Sequence, residues 1–208
     1  VYNSVELLGH YGGDESHALS AWTSTSRDMN DDKRNRMGKL LTMLAEAGHH
    51  TPFEKSSLHF LVSTDIASHI HIIKHRIGVS VNAESARYKE LKEDKHYLPQ
   101  DWPLEWKDIL GEHTRTGEEL YHSCIQSLID DYDIPKKRAK ESARFFKTYN
   151  SQITADVMFN FRSFVHFQNL RNKPEAQLEI HEIADIMLEK VKSIEGNPFK
   201  LTLEAFKL

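Results

Sequence analysis

Apolar residues recur along the chain in two patterns, one with a helical period and one that alternates. From Lys33 to Ala47, Met37, Leu40, Leu41, Leu44 and Ala47 fall three or four apart, which predicts a helix, and Gly48 stands where a helix C-cap belongs. Ser57 to Val62 alternates and puts Leu58, Phe60 and Val62 on one face of a strand. Thr64 or Asp65 then caps a helix running through Ile66, Ile70 and Ile73 toward Arg76. Upstream, Val5 to Leu8 predicts a short first strand, followed by a turn at Gly12-Gly13. Gly78 to Tyr88 is polar and glycine-containing, so it reads as a loop. Trp102-Pro103 opens a second helical region whose apolar stripe is Leu120, Ile125, Leu128 and Ile129, down to Asp130. A helix restarts at Ile134-Pro135, since proline is tolerated in a first turn. Lys147 to Met158 is β-branched and alternates in part, which predicts a strand or an extended segment. Phe159 to Leu170 and Glu175 to Ile194 read as helices, and Asn197-Pro198 is a break before a short tail. Helices outnumber strands and alternate with them irregularly. The expected fold class is α+β, a small, mainly antiparallel sheet packed with several helices.

Composition narrows the class. The 208 residues are 39% hydrophobic, 10% aromatic and 28% charged, the make-up of a globular core and not of a disordered, collagen-like or low-complexity chain. The length suits one compact domain or two small ones; with no repeat, Ser/Gly linker or long charge block, a single domain over 1–208 is expected. A chain of this size buries roughly 70% of its unfolded surface and needs no disulfide or metal staple. Lys and Arg number 27 against 31 Asp and Glu, a net charge of −4. That balance speaks against a general nucleic-acid binder, and no basic amphipathic stripe marks a membrane-surface protein. Neither partner is expected, and an anionic ligand must be held by a local cluster of cations. Cys124 is the only cysteine, which excludes an internal disulfide or a four-cysteine zinc site and points to a reducing, cytoplasmic setting, or to a host's cytoplasm for a viral source. No apolar run approaches the ~18–20 residues of a membrane span, and Val1 to His10 lacks a signal-peptide pattern.

Several motifs are absent: no G-x-G-x-x-G, no Walker-type loop and no H-E-x-x-H, so a Rossmann or P-loop site has no support. His71 and His75 are four apart on one predicted helix face, and His69 is close by. With 13 histidines in the chain, such spacing arises by chance, and an ordinary polar face is the expectation, a metal hydrolase the rival. Cys124 lies between Leu120 and Leu128 on the apolar stripe and reads as a small buried hydrophobe. The informative segment is Lys74-His75-Arg76, at a predicted helix end where the dipole favours positive charge, followed by Ser80, Asn82, Ser85 and Arg87. These are donors a phosphate monoester needs; a basic helix end with a capping serine is the plainer alternative.

The stretch from His75 to Tyr88 closely resembles the signature of the flavin-dependent thymidylate synthases, the ThyX family: an Arg-His-Arg triplet followed by a Ser-x-Asn-x-x-Ser-x-Arg-Tyr pattern. Gly48-His49-His50-Thr51-Pro52-Phe53-Glu54 resembles the family's Gly-His-x-Thr-Pro-Phe-Glu segment, and Glu141-Ser142-Ala143-Arg144 its Glu-x-Ala-Arg segment. Asn160-Phe161-Arg162-Ser163, Leu170-Arg171 and Ala176-Gln177-Leu178-Glu179-Ile180 are similar to its C-terminal block. The chain departs from the pattern in places. Lys74 replaces the first arginine, a point charge for a bidentate fork. His71 replaces a common glutamine, Ala83 a common glutamate, and Glu175 a common histidine; the spacer before Ser80 is one residue longer.

The resemblance implies reductive methylation of dUMP to dTMP, with methylenetetrahydrofolate as carbon donor, FAD as redox mediator and NADPH as hydride source, and no covalent protein nucleophile. It implies that Ser85, the Ala86 backbone, Arg87 and Arg144 hold the nucleotide, with His71, Ile72, Ile73, Lys74 and Glu84 lining its pocket. Arg171 is implied at the uracil ring as the catalytic residue, stabilising negative charge. For FAD it implies Thr51, Lys74, His75, Arg76, Asn160, Phe161, Arg162 and His166, with Ser24, His49, Glu54 and Asn82 as further contacts. Arg162, His166 and Leu170 follow a four-residue step that presents them on one helix face. Lastly it implies a homotetramer whose sites combine residues of several subunits. A catalytically silent nucleotide-binding relative is the alternative within the family.

Overall fold

The computed structural model describes residues 2–208; Val1, the first residue of the expected domain, lies outside them. Strands β1 (Ser4–Tyr11), β2 (Ser57–Asp65), β3 (Val79–Ala83) and β4 (Gln152–Asn160) pair in the order β1-β2-β4-β3 as a small antiparallel sheet. On β2, Leu58, Phe60 and Val62 are fully buried, the face its alternation picks out, and Ala155, Val157 and Phe159 are their counterparts on β4. Among the described residues the helices are α1 (Asp14–Trp22), α2 (Asp31–Glu46), α3 (Ile66–Ile73), α4 (Leu104–Asp130), α5 (Lys136–Ala143), α6 (Phe161–Arg171), α7 (Leu178–Lys192) and α8 (Lys200–Phe206). The mixture of helices with a small antiparallel sheet is the expected fold class.

The chain divides into two compact units. The first comprises Val5–Val62, Ile73–Val81 and Asp156–Leu208; the second comprises the chain up to Ser4, Ser63–Ile72 and Asn82–Ala155. In the first unit, α2 starts where the Asn30 side chain accepts from the Lys33 amide at 2.9 Å, and stops before Gly48, whose φ of 72° suits a residue without a Cβ. Its Leu41 and Leu44 pack with Ala18, Phe53 and Ala205. Phe164 of α6 stacks on Phe60 at 6.0 Å between ring centroids, and Phe167 meets Phe159 at 5.3 Å. Each such pair contributes about 0.5–1.5 kcal/mol beyond its buried area. In the second unit, Asp65 caps α3 by accepting from the Ser68 amide at 2.8 Å. Tyr121 and Ile125 of α4 pack with Ala143 of α5 there.

The structure corrects several expectations. Gly78 to Tyr88 is not all loop, because β3 runs through it: half-buried Val79, Val81 and Ala83 alternate with exposed Ser80 and Asn82. The helix from Ile66 ends at Ile73 and does not run toward Arg76, and its buried face is Ser68, His69 and Ile72, with Ile73 exposed. Apolar residues occur nearly all round α3, so the periodicity could not choose a face. On α4, Leu120 is exposed; the buried side carries Gly111, Thr114, Gly117, Glu118, Tyr121 and Ile125. Glycine serves there because a Cβ at Gly117 would fall 2.5 Å from the Phe146 carbonyl oxygen. The strand in Lys147–Met158 begins at Gln152 and takes in Phe159 and Asn160, so the next helix starts at Phe161. Helix α1 carries no apolar period and was not expected. The tail after Asn197-Pro198 is helical, because Asp14 caps α8 from a remote part of the chain.

Candidate active site

In the first unit, one turn fixes the segment that follows the Lys74-His75-Arg76 cations. Gly78 has φ 64°, and its carbonyl accepts from the Asn160 amide at 2.8 Å. The Asn160 side chain accepts from the Ser163 amide at 2.8 Å and so caps α6. The Ser163 hydroxyl in turn donates to the Ile77 carbonyl at 2.6 Å. A polar rivet thus joins the signature segment to the start of α6. That helix buries Phe161, Phe164, Val165, Phe167 and Gln168 and leaves Arg162, His166, Asn169 and Leu170 exposed.

The rivet brings His75 beside the far end of α6. The His75 ring lies 5.8 Å from that of His166 and 5.0 Å from that of Phe167. Arg171 Nε donates to His75 Nε2 at 3.2 Å, so that nitrogen carries no proton. Glu54, at the end of a short 3-10 turn over Thr51–Glu54, accepts from Arg162 at 2.5 Å. A cavity of about 400 Å³ is lined by His50, Ile77, Arg162, His166, Asn169 and Phe206 among others. Lys74 and Arg76 are exposed, and among the described residues neither has an ion-pair partner. Thr51 and His49 are exposed as well; Ser24 sits in the turn after α1 and donates to the Ala21 carbonyl. Phe161 is fully buried, stacked on Phe199 at 4.9 Å, and has only backbone to offer a ligand.

In the second unit, Ser85 Oγ accepts from the Arg87 amide at 3.3 Å, an ST-type turn. The Arg87 guanidinium is engaged by Glu141, which holds the Glu141 carboxyl below the usual carboxylate range. Arg144 is exposed and, among the described residues, has no such partner. Burial works against the charge on Glu84, but Lys89 and the Thr154 amide outweigh it and hold its pKa low. Asn82 is exposed on β3, His71 is half-buried, and Ile72 is fully buried, with only its backbone available to a ligand. Ile73, assigned to the first unit with Lys74, is exposed. Cys124 is half-buried against Tyr121, Ile125 and Ala143, less enclosed than its place in the sequence suggests. Among the described residues no three of His, Cys, Asp or Glu gather as a metal-ligating group.

Sequence reasoning singled out His49, but its neighbour His50 lines the cavity. Asn169 and Phe206 were missed too. Asn169 shares the exposed face of Arg162 and His166, so the helical period contained it; nothing in sequence joined Phe206 to that face.

The sequence model of the family described as "Thymidylate synthase complementing protein" matches residues 6–195. The chain belongs to the flavin-dependent thymidylate synthase family. The flavin-dependent thymidylate synthase of Pseudothermotoga lettingae is 34% identical over 198 residues, covering 91% of this chain and 85% of the relative. That of Thermosipho melanesiensis is 31% identical over 200 residues, covering 89% and 86%. Among solved structures, the UMP/dUMP methylase PolB from Streptomyces cacaoi, bound with 5-Br dUMP, superposes with a TM-score of 0.78 at 25% identity. That likeness covers 99% of this chain and 94% of the other. The four motifs that carry the resemblance all lie within the matched residues, so the family assignment and the motif reading rest on the same part of the chain.

Proposed function

We infer that the chain methylates dUMP reductively to dTMP, with methylenetetrahydrofolate as carbon donor and NADPH as hydride source, as a single-domain, FAD-dependent, homotetrameric enzyme. The observation that carries this reading is the joining of the Lys74-His75-Arg76 segment to α6, which presents Arg162 and His166 on its exposed face and bonds His75 through Arg171 at its end. A flavin dinucleotide asks for flat apolar walls beside its rings and cations beside its diphosphate. The residues fit: Ile77, Val165 and Phe206 form the apolar side of the cavity, and Arg162 and His166 the polar side. Lys74 and Arg76 remain for the diphosphate. Thr51, His49, Glu54, Asn160 and Phe161, with Ser24 and Asn82, complete the set that the family motif supports.

When bound, the flavin supplies hydride transfer, and this chain supplies binding, orientation and charge. Ser85, the Ala86 amide, Arg87 and Arg144 hold the nucleotide phosphate, with His71 to Lys74 and Glu84 around it. Arg87 comes to this task already paired with Glu141, so a phosphate must share or replace that carboxylate. Arg171, aimed by its bond to His75, stabilises negative charge on the uracil ring as it is activated. No protein nucleophile is required, and a cytoplasmic location goes with this reading; no described helix is long and apolar enough to cross a membrane.

The test is the visible spectrum of the purified protein, followed by oxidation of its reduced flavin, in the absence of air, on adding dUMP together with methylenetetrahydrofolate. A yellow protein whose oxidation depends on dUMP is expected. A protein that stays colourless after incubation with FAD overturns the reading, and UMP in place of dUMP separates thymidylate synthesis from ribonucleotide methylation.

A further inference from the structure

Four polar side chains of the first unit, Asp14, His17, Ser56 and Thr202, are almost fully buried and take no part in the chemistry described above. They bond in a line. Thr202 Oγ1 donates to Asp14 Oδ1 at 2.6 Å. A hydroxyl has one proton, so Thr202 accepts from His17 Nδ1, 2.9 Å away. His17 Nε2 then has only its lone pair to offer, and Ser56 Oγ donates to it at 2.7 Å. The order fixes a neutral His17 with its proton on Nδ1, and burial holds its pKa down to about 4. Asp14 also accepts from the Leu201 and Thr202 amides at 2.9 and 2.8 Å. A serine beside a histidine invites a catalytic reading, but Ser56 is 3% exposed and His17 0%, which leaves a substrate no approach.

The line instead holds α8 in place, and α8 ends in Phe206. The Phe206 ring packs edge-on against Phe53 at 4.8 Å and His50 at 5.4 Å, and it lines the cavity with Arg162, His166 and Asn169. At the other end, Ser56 lies two residues past the turn that carries Glu54, the partner of Arg162. One buried run of hydrogen bonds therefore ties α8, whose Phe206 lines the cavity, to the segment that carries Glu54, the partner of the cavity-lining Arg162. The family match ends at residue 195, so it assigns α8 no role.

We propose that α8 is a wall of the flavin site, with Phe206 as its contact to the ligand and Asp14, His17, Thr202 and Ser56 as the positioning residues that hold it there. This rests on the flavin reading of the cavity. The test is the FAD affinity of the full chain, read by flavin fluorescence, beside kcat and the KM for dUMP at saturating FAD. Thr202→Val removes the link and keeps the shape; FAD binding weakens about tenfold, the worth of one hydrogen bond, while kcat at saturating FAD and the KM for dUMP hold. Thr202→Ser keeps the hydroxyl and retains the parental affinity. Phe206→Leu leaves the line intact and weakens FAD binding, which decides the matter if Thr202→Val does not fold. Folded Thr202→Val and Phe206→Leu proteins with parental FAD affinity overturn the wall and leave the flavin reading standing. A parental protein that takes up no FAD overturns both.

Discussion

Gly78→Ala is the sharpest test of how the signature segment is attached to α6. At φ 64° an alanine is strained, which costs roughly 1–2 kcal/mol by itself. A Cβ there would also fall 2.5 Å from Ser163 Oγ and 2.7 Å from Asn160 Cγ, and nearer still to Asn160 Nδ2. The Asn160 side chain has to leave, and the α6 cap goes with it, for about 1 kcal/mol more. The total is on the order of 2–3 kcal/mol, a large part of the stability of an ordinary domain. Urea unfolding reads it as a lower midpoint at an unchanged slope. Asn160→Ala alone is expected to cost about 1 kcal/mol, and it removes two of the three atoms that the new Cβ meets, leaving Ser163 Oγ. The double variant should therefore be more stable than the sum of the singles by roughly 1 kcal/mol. A Gly78→Ala protein within about 0.5 kcal/mol of the parent, or strict additivity with Asn160→Ala, would refute the rivet.

Four further outcomes are expected. Arg171→Ala loses turnover more than stability, with the barrier raised by about 2–4 kcal/mol as for a removed oxyanion donor; normal dTMP formation by this variant would place the charge stabiliser elsewhere. Arg87→Ala and Arg144→Ala each weaken dUMP binding by roughly 1.5–3 kcal/mol, measured by titration calorimetry, and unchanged affinity in both would move the phosphate site. Burial works against the charge on His122, but Glu90 and Asp94 outweigh it, so its folded pKa stands above 6.5. Its stabilisation is complete below pH 6.5 and fades as pH rises through the folded pKa; His122→Gln should flatten that part of the stability profile, and an unaltered slope would contradict the assignment. Cys124→Ala keeps its dTMP-forming activity and loses on the order of 1 kcal/mol of stability, whereas a folded, FAD-loaded variant without activity would make the thiol catalytic.

The helix over Asp31–Glu46 and the inward face of β2 were legible because each has a clean period and a local end signal, Gly48 for the one and Thr64-Asp65 for the other. Helix α1 was not, since its buried residues include Asp14 and His17, whose partners Thr202 and Ser56 lie far along the chain. Polar core positions satisfied at long range leave no mark on hydrophobic periodicity. The stretch after Gly78 misled for the opposite reason: a glycine needed for the turn on Asn160 disguised the strand that follows it. At the candidate site, the motifs singled out the cations and Asn160, and the structure joins their two segments through Ile77 and Gly78. The bond from Arg171 to His75 and the pairing of Arg87 with Glu141 depend on folding and had no signature in spacing.

The Asp14–Thr202 contact has a consequence for how the protein is made. The two residues are 188 positions apart, and at roughly 5–20 residues per second a ribosome needs some 10–40 s to pass from one to the other. Through that interval α1 and α2 have been synthesised while Ala205, which covers Leu41, Leu44 and Phe53, has not. Their apolar faces are then open to chaperones or to neighbouring nascent chains. The second unit, drawn largely from one continuous stretch, can mature while the chain is still growing; the first waits for its closing helix and for a loop closure of great length. Yield on expression should accordingly depend more on holdase capacity during translation than on the equilibrium stability of the finished fold.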